Sequence, residues 1–436
     1  MPTPSLRSPA RALCAAALAC TLAACQGSDD VATAARWQTV TDTLGDTIVV
    51  RTVGARDSAA MLTLVPEVRI GQLDGPDEYT FANAFSVSPA PHGGIYVYDG
   101  TLEALRQYDS AGTFVRRIGR KGGGPGEFED PNGVVALPDG RVVVWDARHQ
   151  RMNLYDTSGT FATSWRLPTN FFSSRALSVD TAGAIYALHM LDQFDAEHPT
   201  APRRTGLVRL TADGTIRDTI LAPALPEPAM LSAVMRSRGG VGVTRRPLPY
   251  APQPGWEISP LGYVVSTPGD PYAILLHRAG HPLRIERDVP PVPVEPDEKE
   301  NLTERITAQF RRSAPSWRWD GPGIPDTKPP IRSITLDAEG RVWVSRSLPS
   351  VPLEPDPEAE PPAPNAPPPP RWREPLAYDV FAPDGRFLGH LPVPRRTSLL
   401  YMHGDTVWAS QRDSLDVPTV VRFRVEPSLA TRAAGH

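Results

Sequence analysis

Two stretches of this chain repeat each other, and the period of that repeat limits the fold more than any other feature. The first runs from Val68 to Phe114 and the second from Arg116 to Phe161. Ile70 aligns with Ile118, Pro76 with Pro125, Glu78 with Glu127, Tyr79 with Phe128 and Asp99 with Asp146. Tyr108-Asp109 aligns with Tyr155-Asp156, and Gly112-Thr113-Phe114 with Gly159-Thr160-Phe161, at an offset of 47 to 49 residues. In the second copy, Val134 to Leu137, Val142 to Trp145, Met152 to Tyr155 and Phe161 to Trp165 read as short strands, the second of them rich in β-branched residues. Pro138-Asp139-Gly140 and Asp156-Thr157-Ser158-Gly159 separate them, with glycine where a turn needs positive φ. Four short antiparallel strands per repeat of this length describe one blade of a β-propeller.

Fainter copies follow. Leu177 to Tyr186 reads as an inner hairpin and Leu207 to Ile216 as its outer partner. Gly262 to Thr267 with Ala273 to Ile285 gives another pair. Ile331 to Ser345 pairs with Tyr378 to Leu388, and Leu399 to Ala409 with Val417 to Val425 supplies the last three strands. Two segments, 287–330 and 349–375, look like insertions. Without them the span from Val68 to Val425 holds six repeats of the observed period, and five or seven fit less well. The last repeat lacks a fourth strand, whereas the first repeat opens with one to spare. The segment Glu67 to Gly71 is therefore expected to complete the last blade, closing the ring and hiding the open edges. The fold class is all-β: a six-bladed β-propeller of four-stranded antiparallel blades over residues 67–425.

Composition agrees. Proline, at 50 of 436 residues, is about twice its usual share, which excludes a mainly helical chain. A hydrophobic content of 40% supports a real core. The net charge of −4 carries no electrostatic footprint for nucleic acid.

The first residues have a different job. Arg7 and Arg11 precede an apolar run from Ala12 to Ala24 that is too short to span a bilayer as a helix. A basic start, a short apolar stretch and small residues at its end describe a secretory signal over residues 1–24. Leu22-Ala23-Ala24-Cys25 resembles the bacterial lipobox, which implies cleavage before Cys25 and acylation of it. All three cysteines, Cys14, Cys20 and Cys25, lie here, so the mature domain carries no free thiol and no disulfide. Gln26 after the cysteine implies the outer membrane over the inner, with the domain in the periplasm or at the cell surface. Removing residues 1–24 moves the net charge from −4 to −6. Residues 25–35 then form a tether, and 36–66 a hairpin turning near Gly45 with a lead-in, packed outside the ring.

The insertions differ in character. Residues 349–375 hold 12 prolines, with Glu354, Asp356, Glu358 and Glu360, and read as an extended acidic loop of polyproline II character. In 295–319, acids precede Arg305, Arg311 and Arg312, and Leu302, Ile306 and Phe310 recur every fourth residue. That pattern predicts a short helix on one propeller face, either a clip or a lid over the channel. The tail 426–436 is expected to fray.

The stretch from Ile118 to Asp156 resembles the NHL repeat almost position by position, and the chain from about residue 40 to 425 is similar to six-bladed, TolB-like β-propeller lipoproteins. The resemblance implies fold but little function, because propellers host binding, scaffolding and catalysis alike. Some relatives of this architecture are lactonases with a divalent metal in the channel, held by acids and amides at the starts of inner strands. Asn83 and Asn132 occupy matching places here, yet no matching acid is evident in the other blades, and Glu127 reads as structural. No HExxH, CxxC, GxSxG or GxxxxGK[ST] motif is present. Gly119 to Gly126 offers glycines with Arg120 and Lys121, but a strand rather than a helix follows, so it reads as a blade linker. Nine histidines suit no single metal site; His277 and His281 have four-residue spacing but lie on a predicted hairpin.

The sequence therefore favours a non-catalytic module, a monomer that binds a protein, peptide or glycan on one loop face. The candidate binding residues are Arg120, Lys121, Asn132, Arg148, His149 and Arg151. No catalytic residue, metal ligand or cofactor is assigned. Ca²⁺ or another divalent metal enters only under a second reading, a hydrolase of lactonase type using the channel. A scaffold in the envelope with no small ligand is a third.

Overall fold

The structure, a computed structural model, describes residues 37–54, 57–82, 85–99, 104–167, 177–193, 195–237, 240–354 and 366–434. The signal segment, Cys25, the tether and Asn83 lie outside the described residues, as does the middle of the Pro-rich insertion.

Six antiparallel blades form the ring. Blade 1 holds Phe85–Pro89, Ile95–Asp99, Ala104–Tyr108 and Phe114–Ile118, paired in that order. Blade 2 holds Pro131–Ala136, Val142–Asp146, Arg151–Tyr155 and Phe161–Arg166, each within three residues of its expected start. Blade 3 holds Ser178–Val179, Ile185–Met190, Thr205–Leu210 and Ile216–Leu221. Blade 4 holds Gly255–Ile258, Val264–Thr267, Ala273–His277 and Leu283–Arg287. Blade 5 holds Ile331–Leu336, Val342–Arg346, Ala377–Phe381 and Phe387–Pro392, with the Pro-rich insertion between its second and third strands. Blade 6 takes Thr397–His403, Thr406–Arg412 and Pro418–Glu426 from the end of the chain.

Its fourth strand comes from the N-terminal side. Thr63–Ile70 (β3) pairs antiparallel with Pro418–Glu426, Thr63 opposite Glu426 and Ile70 opposite Val420. The expected closure strand is thus present, four residues longer at its start than the sequence indicated. Before it, Gln38–Leu44 (β1) and Thr47–Val53 (β2) form the expected hairpin, turning at Gly45. β2 runs parallel to Leu283–Arg287, so the hairpin lengthens blade 4 to six strands.

The repeated residues hold turns and linkers. Asp109 Oδ1 accepts from the Ala111 and Thr113 amides at 2.9 and 2.8 Å, and Asp156 Oδ1 does the same for Ser158 and Thr160. Tyr155 donates to the Gly126 carbonyl at 3.0 Å, and Tyr108 donates to the Glu78 carbonyl. Buried Asp99 and Asp146 accept linker amides, Ala82 for the first and Glu129 and Asp130 for the second. Gly159, at φ +81°, has its would-be Cβ 3.0 Å from Ile118 Cγ1 of blade 1, so a side chain here strains the turn and presses on the neighbouring blade.

Apolar clusters fill five of the six seams between blades. Tyr96, Tyr98 and Leu105 meet Val142 and Val144 between blades 1 and 2. Val143 and Leu154 meet Ile185 and Val208 between blades 2 and 3. Ile274 and Ile285 meet Ile334 and Val344 between blades 4 and 5. Trp343 and Leu388 meet Val407 and Phe423 between 5 and 6, and Ile95 and Val97 meet Trp408 and Val420 between 6 and 1. Among the described residues no such cluster joins blades 3 and 4, where one turn bond, Thr181 N–H to the Pro260 carbonyl at 2.9 Å, spans the gap.

The insertions pack on each other. Pro296–Ser313 (α1) is a longer helix than expected, 18 residues, with acids in its first turn and arginines in its last. Its Ile306 and Phe310 bury against Leu231 and Ala233 of an unforeseen hairpin, Met230–Ser237 with Gly240–Pro247, and Phe310 stacks on Trp317. The tail does not fray throughout: Leu429–Ala434 (α2) is helical, and Leu429 is fully buried against blades 5 and 6.

Candidate functional site

The inner strands of all six blades surround one cavity of about 1310 Å³. Val87, Val135, Val179, Ile258, Leu336 and Leu400 come one from each. Its mouth is ringed by the turns that link first to second strands, such as Leu137 to Gly140, Asp180-Thr181 and Asp337-Ala338. The wall also includes Leu188 and Leu207, from the second and third strands of blade 3, facing Trp256 and Ile258 of blade 4. The cavity thus extends past the inner strands toward blade 3, as it does toward blade 1 through Gln107, Val115 and Arg116.

Carboxylates at the mouth serve their own turns. Asp180 accepts from the Ala182 and Ala184 amides and from the Tyr186 hydroxyl at 2.8 Å. Asp139 pairs with Arg141 at 2.7 Å. Asp337 accepts from the Arg341 amide at 2.8 Å and the Trp343 indole at 3.0 Å. Burial pushes the Asp337 pKa up to about 6, against the opposing pull of those donors.

Acid and histidine ligand atoms converge elsewhere. Asp57, Asp379 and His390 lie together in the seam between blades 4 and 5, the one such trio among the described residues. Two guanidiniums already fill it. Arg287 donates to Asp379 and, at 2.8 Å, to Asp57, and Arg346 donates to Asp57 at 2.8 Å. His390 Nδ1 and the Tyr272 hydroxyl each meet Asp379 at 2.8 Å. Burial raises the Asp379 pKa, but the His390 hydrogen bond and both arginines outweigh it and hold the carboxyl below its ordinary range. Two cations at the centre of a carboxylate pair repel a metal ion, so the trio does not fit a divalent site.

The six candidate residues from sequence lie around the linker into blade 2. Their turn, Asp146 to Arg151, joins second to third strands, so it sits at the opposite end of the blade from the cavity mouth. Arg151 donates to the carbonyls of Gly123, Gly124 and Glu127 at 3.0, 2.9 and 2.6 Å. Arg120 pairs with Glu127 at 2.7 Å, Arg148 with Glu129 at 3.6 Å and His149 Nδ1 with Asp146 at 2.7 Å. Lys121 sits on a two-residue strand beside Glu127–Phe128. Asn132 is in the inner strand of blade 2, with its side chain outside the described residues. Glu127, aligned with Glu78, is structural as expected: it accepts the Gly124 amide at 2.8 Å and organises the glycine-rich linker.

Two hydroxyl pairs were not foreseen. His277 Nε2 lies 2.8 Å from Ser266 Oγ, and burial lowers the histidine's pKa, but Ser266 is only 3% exposed. Ser350 Oγ lies 2.6 Å from the buried Lys328 Nζ, which is also 3.4 Å from both Glu298 and Glu374. That lysine ties α1 to the stem of the Pro-rich insertion.

No family model matches the sequence, and no curated protein matches it. Among solved structures, the chain is similar to a member of the DUF4221 family from Bacteroides vulgatus, at 11% identity and a TM-score of 0.49, covering 84% of this chain and 98% of that one. Virginiamycin B lyase from Staphylococcus aureus aligns at 11% identity and 0.39, covering 83% and 99%. A gluconolactonase from Xanthomonas campestris aligns at 14% and 0.37, covering 83% and 97%. The six-bladed architecture stands on the strand pairings themselves. Among the described residues no helix is long and apolar enough to cross a membrane.

Proposed function

We propose that this chain is a lipid-anchored envelope protein, held through Cys25 and more at the outer than the inner membrane, whose propeller binds a ligand without transforming it. The cavity is the observation that carries the reading. At about 1310 Å³ it exceeds the roughly 300–1,000 Å³ of small-molecule pockets, so it suits a peptide or oligosaccharide segment. Its wall mixes aliphatic side chains such as Val87, Val135 and Leu336 with polar ones such as Gln107, Glu257 and Thr335, and the rim carboxylates Asp180 and Asp337 are committed to their own turns. The basic linker face around Arg120 and Arg151 is a secondary candidate surface, because its donors already hold backbone carbonyls.

The competing reading, a metal-dependent hydrolase, needs oxygen ligands converging in the channel. No trio of His, Cys, Asp or Glu does so among the described residues. The test is metal content, melting temperature with and without EDTA, and turnover of a lactone and ester panel by the purified full chain. The binding reading predicts no melting change on chelation and no turnover. Bound Ca²⁺ or Zn²⁺ with a melting loss and EDTA-sensitive turnover overturns it.

A further inference from the structure

A second cavity, of about 710 Å³, opens beside the closure strand. Arg69 lies on that strand and Leu73 on the linker after it, Arg395 and Arg396 on the linker between blades 5 and 6, and Arg412 and Leu415 at the turn joining the second and third strands of blade 6. Like Asp146 to Arg151 in blade 2, that turn stands at the opposite end of its blade from the mouth of the central cavity. Four guanidiniums thus gather around one hollow. Arg412 donates to Asp416 Oδ2 at 3.1 Å, and Arg396 pairs with the same carboxylate at 3.6 Å. The other two have no acid partner. Arg69 donates to Thr419 Oγ1 at 2.9 Å and Gln411 Oε1 at 2.7 Å, both neutral, which hold it at the wall. Arg395 makes no ion pair or hydrogen bond through its guanidinium among the described residues. Asp413, the one carboxylate on the wall, accepts the Leu415 and Val417 amides of its own turn at 2.9 Å. Against four arginines and two aspartates, two positive charges stay uncompensated.

Charge and shape define the ligand. The volume lies within the roughly 300–1,000 Å³ of small-molecule sites. Guanidinium forks match carboxylate and phosphate oxygens alike, but a carboxylate brings one negative charge. A phosphate monoester brings about 1.5 to 2 at neutral pH, which matches the two uncompensated arginines. The rim adds an apolar element. Leu415 is 73% exposed and Leu73 64%, and both line this cavity. Two leucines held out in water beside a cationic hollow suit a ligand whose charged head carries an apolar body. We propose that this cavity binds a phosphate monoester on an apolar chain, with Arg69 and Arg395 on the phosphate and Leu73 and Leu415 along the chain. A soluble alkyl phosphate and a membrane lipid with a terminal phosphate share that chemistry. The site is separate from the central cavity and needs no lipid anchor.

The test is calorimetric titration of the purified full chain with inorganic phosphate, hexyl phosphate and hexanoate at fixed ionic strength. Saturable binding of both phosphates is expected, with hexyl phosphate at least about fourfold tighter, the effect of one buried methylene. Arg395→Gln, whose guanidinium bonds to nothing described, should keep the wild-type melting temperature and weaken both phosphates about tenfold. Leu415→Ser should weaken hexyl phosphate and leave inorganic phosphate unchanged. Phosphatidylcholine vesicles containing phosphatidic acid separate the two sources: displacement of hexyl phosphate assigns the site to a membrane headgroup, and its retention assigns the site to a soluble ester. Heats that do not saturate, hexanoate binding as tightly as hexyl phosphate, or Arg395→Gln binding like the wild type overturns the proposal.

Discussion

Tyr272 of blade 4 donates its hydroxyl to Asp379 of blade 5 at 2.8 Å, across a seam between blades. Asp379 is fully buried, and Arg287 and Arg346 complete a polar lock around it that also holds Asp57. The lock fastens the segment leading from the N-terminal hairpin into the closure strand. Arg287→Met removes one cation and the contact of its guanidinium over Phe387. It is expected to destabilise the chain by up to about 3 kcal/mol, because Asp379 loses its nearest cation while Arg346, His390 and Tyr272 remain beside it. Adding Asp379→Leu should restore part of the loss; denaturant unfolding of the two variants checks this.

The pH dependence has two limbs. Asp337 has a folded pKa raised to about 6 from 3.8, so its contribution is present below about pH 4 and lost as pH rises through about 6. Asp57 and Asp379 have folded values below the ordinary range, so theirs is present above about pH 4 and lost as pH falls through the depressed values. Melting curves from pH 3 to 8 should show Asp337→Asn gaining on the wild type between about pH 4 and 7. A parallel pair of curves would contradict the assignment.

Gly159→Ala tests the repeat. The turn needs φ of +81°, and the added methyl meets Ile118 of the neighbouring blade. A loss of about 1–3 kcal/mol is expected, by thermal melting. Gly262→Ala, at φ +86° with no atom within 4 Å of its Cβ, should cost less.

Lys328→Met strands Glu298 and Glu374 in the seam between α1 and blade 5. Faster hydrogen exchange in α1 and the Trp372–Arg373 stem, with the far blades unchanged, is the expected signature.

Much of this architecture was legible because its signals are local. Tyr155, Asp156 and Gly159 recur at fixed offsets since each serves a bond within one blade or to the next linker. The hairpin Met230–Pro247 escaped because it lies outside the repeat period, although Gly239-Gly240 between apolar runs is a turn signal. The lock was invisible for a different reason: Asp57, Arg287, Arg346, Asp379 and His390 share no spacing, and only ring closure brings them together. The basic cluster near Arg151 was visible as charge, but a sequence does not show that linker carbonyls already take up its donors. The lateral arm of the cavity was hidden because Leu188, Leu207 and Trp256 share no spacing and meet only through the packing of neighbouring blades.

That lateral arm is where the binding reading is most exposed to test. The direct measurement is the melting shift of the purified full chain across peptide and oligosaccharide panels, in the wild type and in Leu207→Arg, which places a long cation into the half-buried wall between blades 3 and 4. The account predicts at least one class that stabilises the wild type and loses its effect in Leu207→Arg, with the variant's own melting temperature close to that of the wild type. Ligands that stabilise both proteins equally would contradict it.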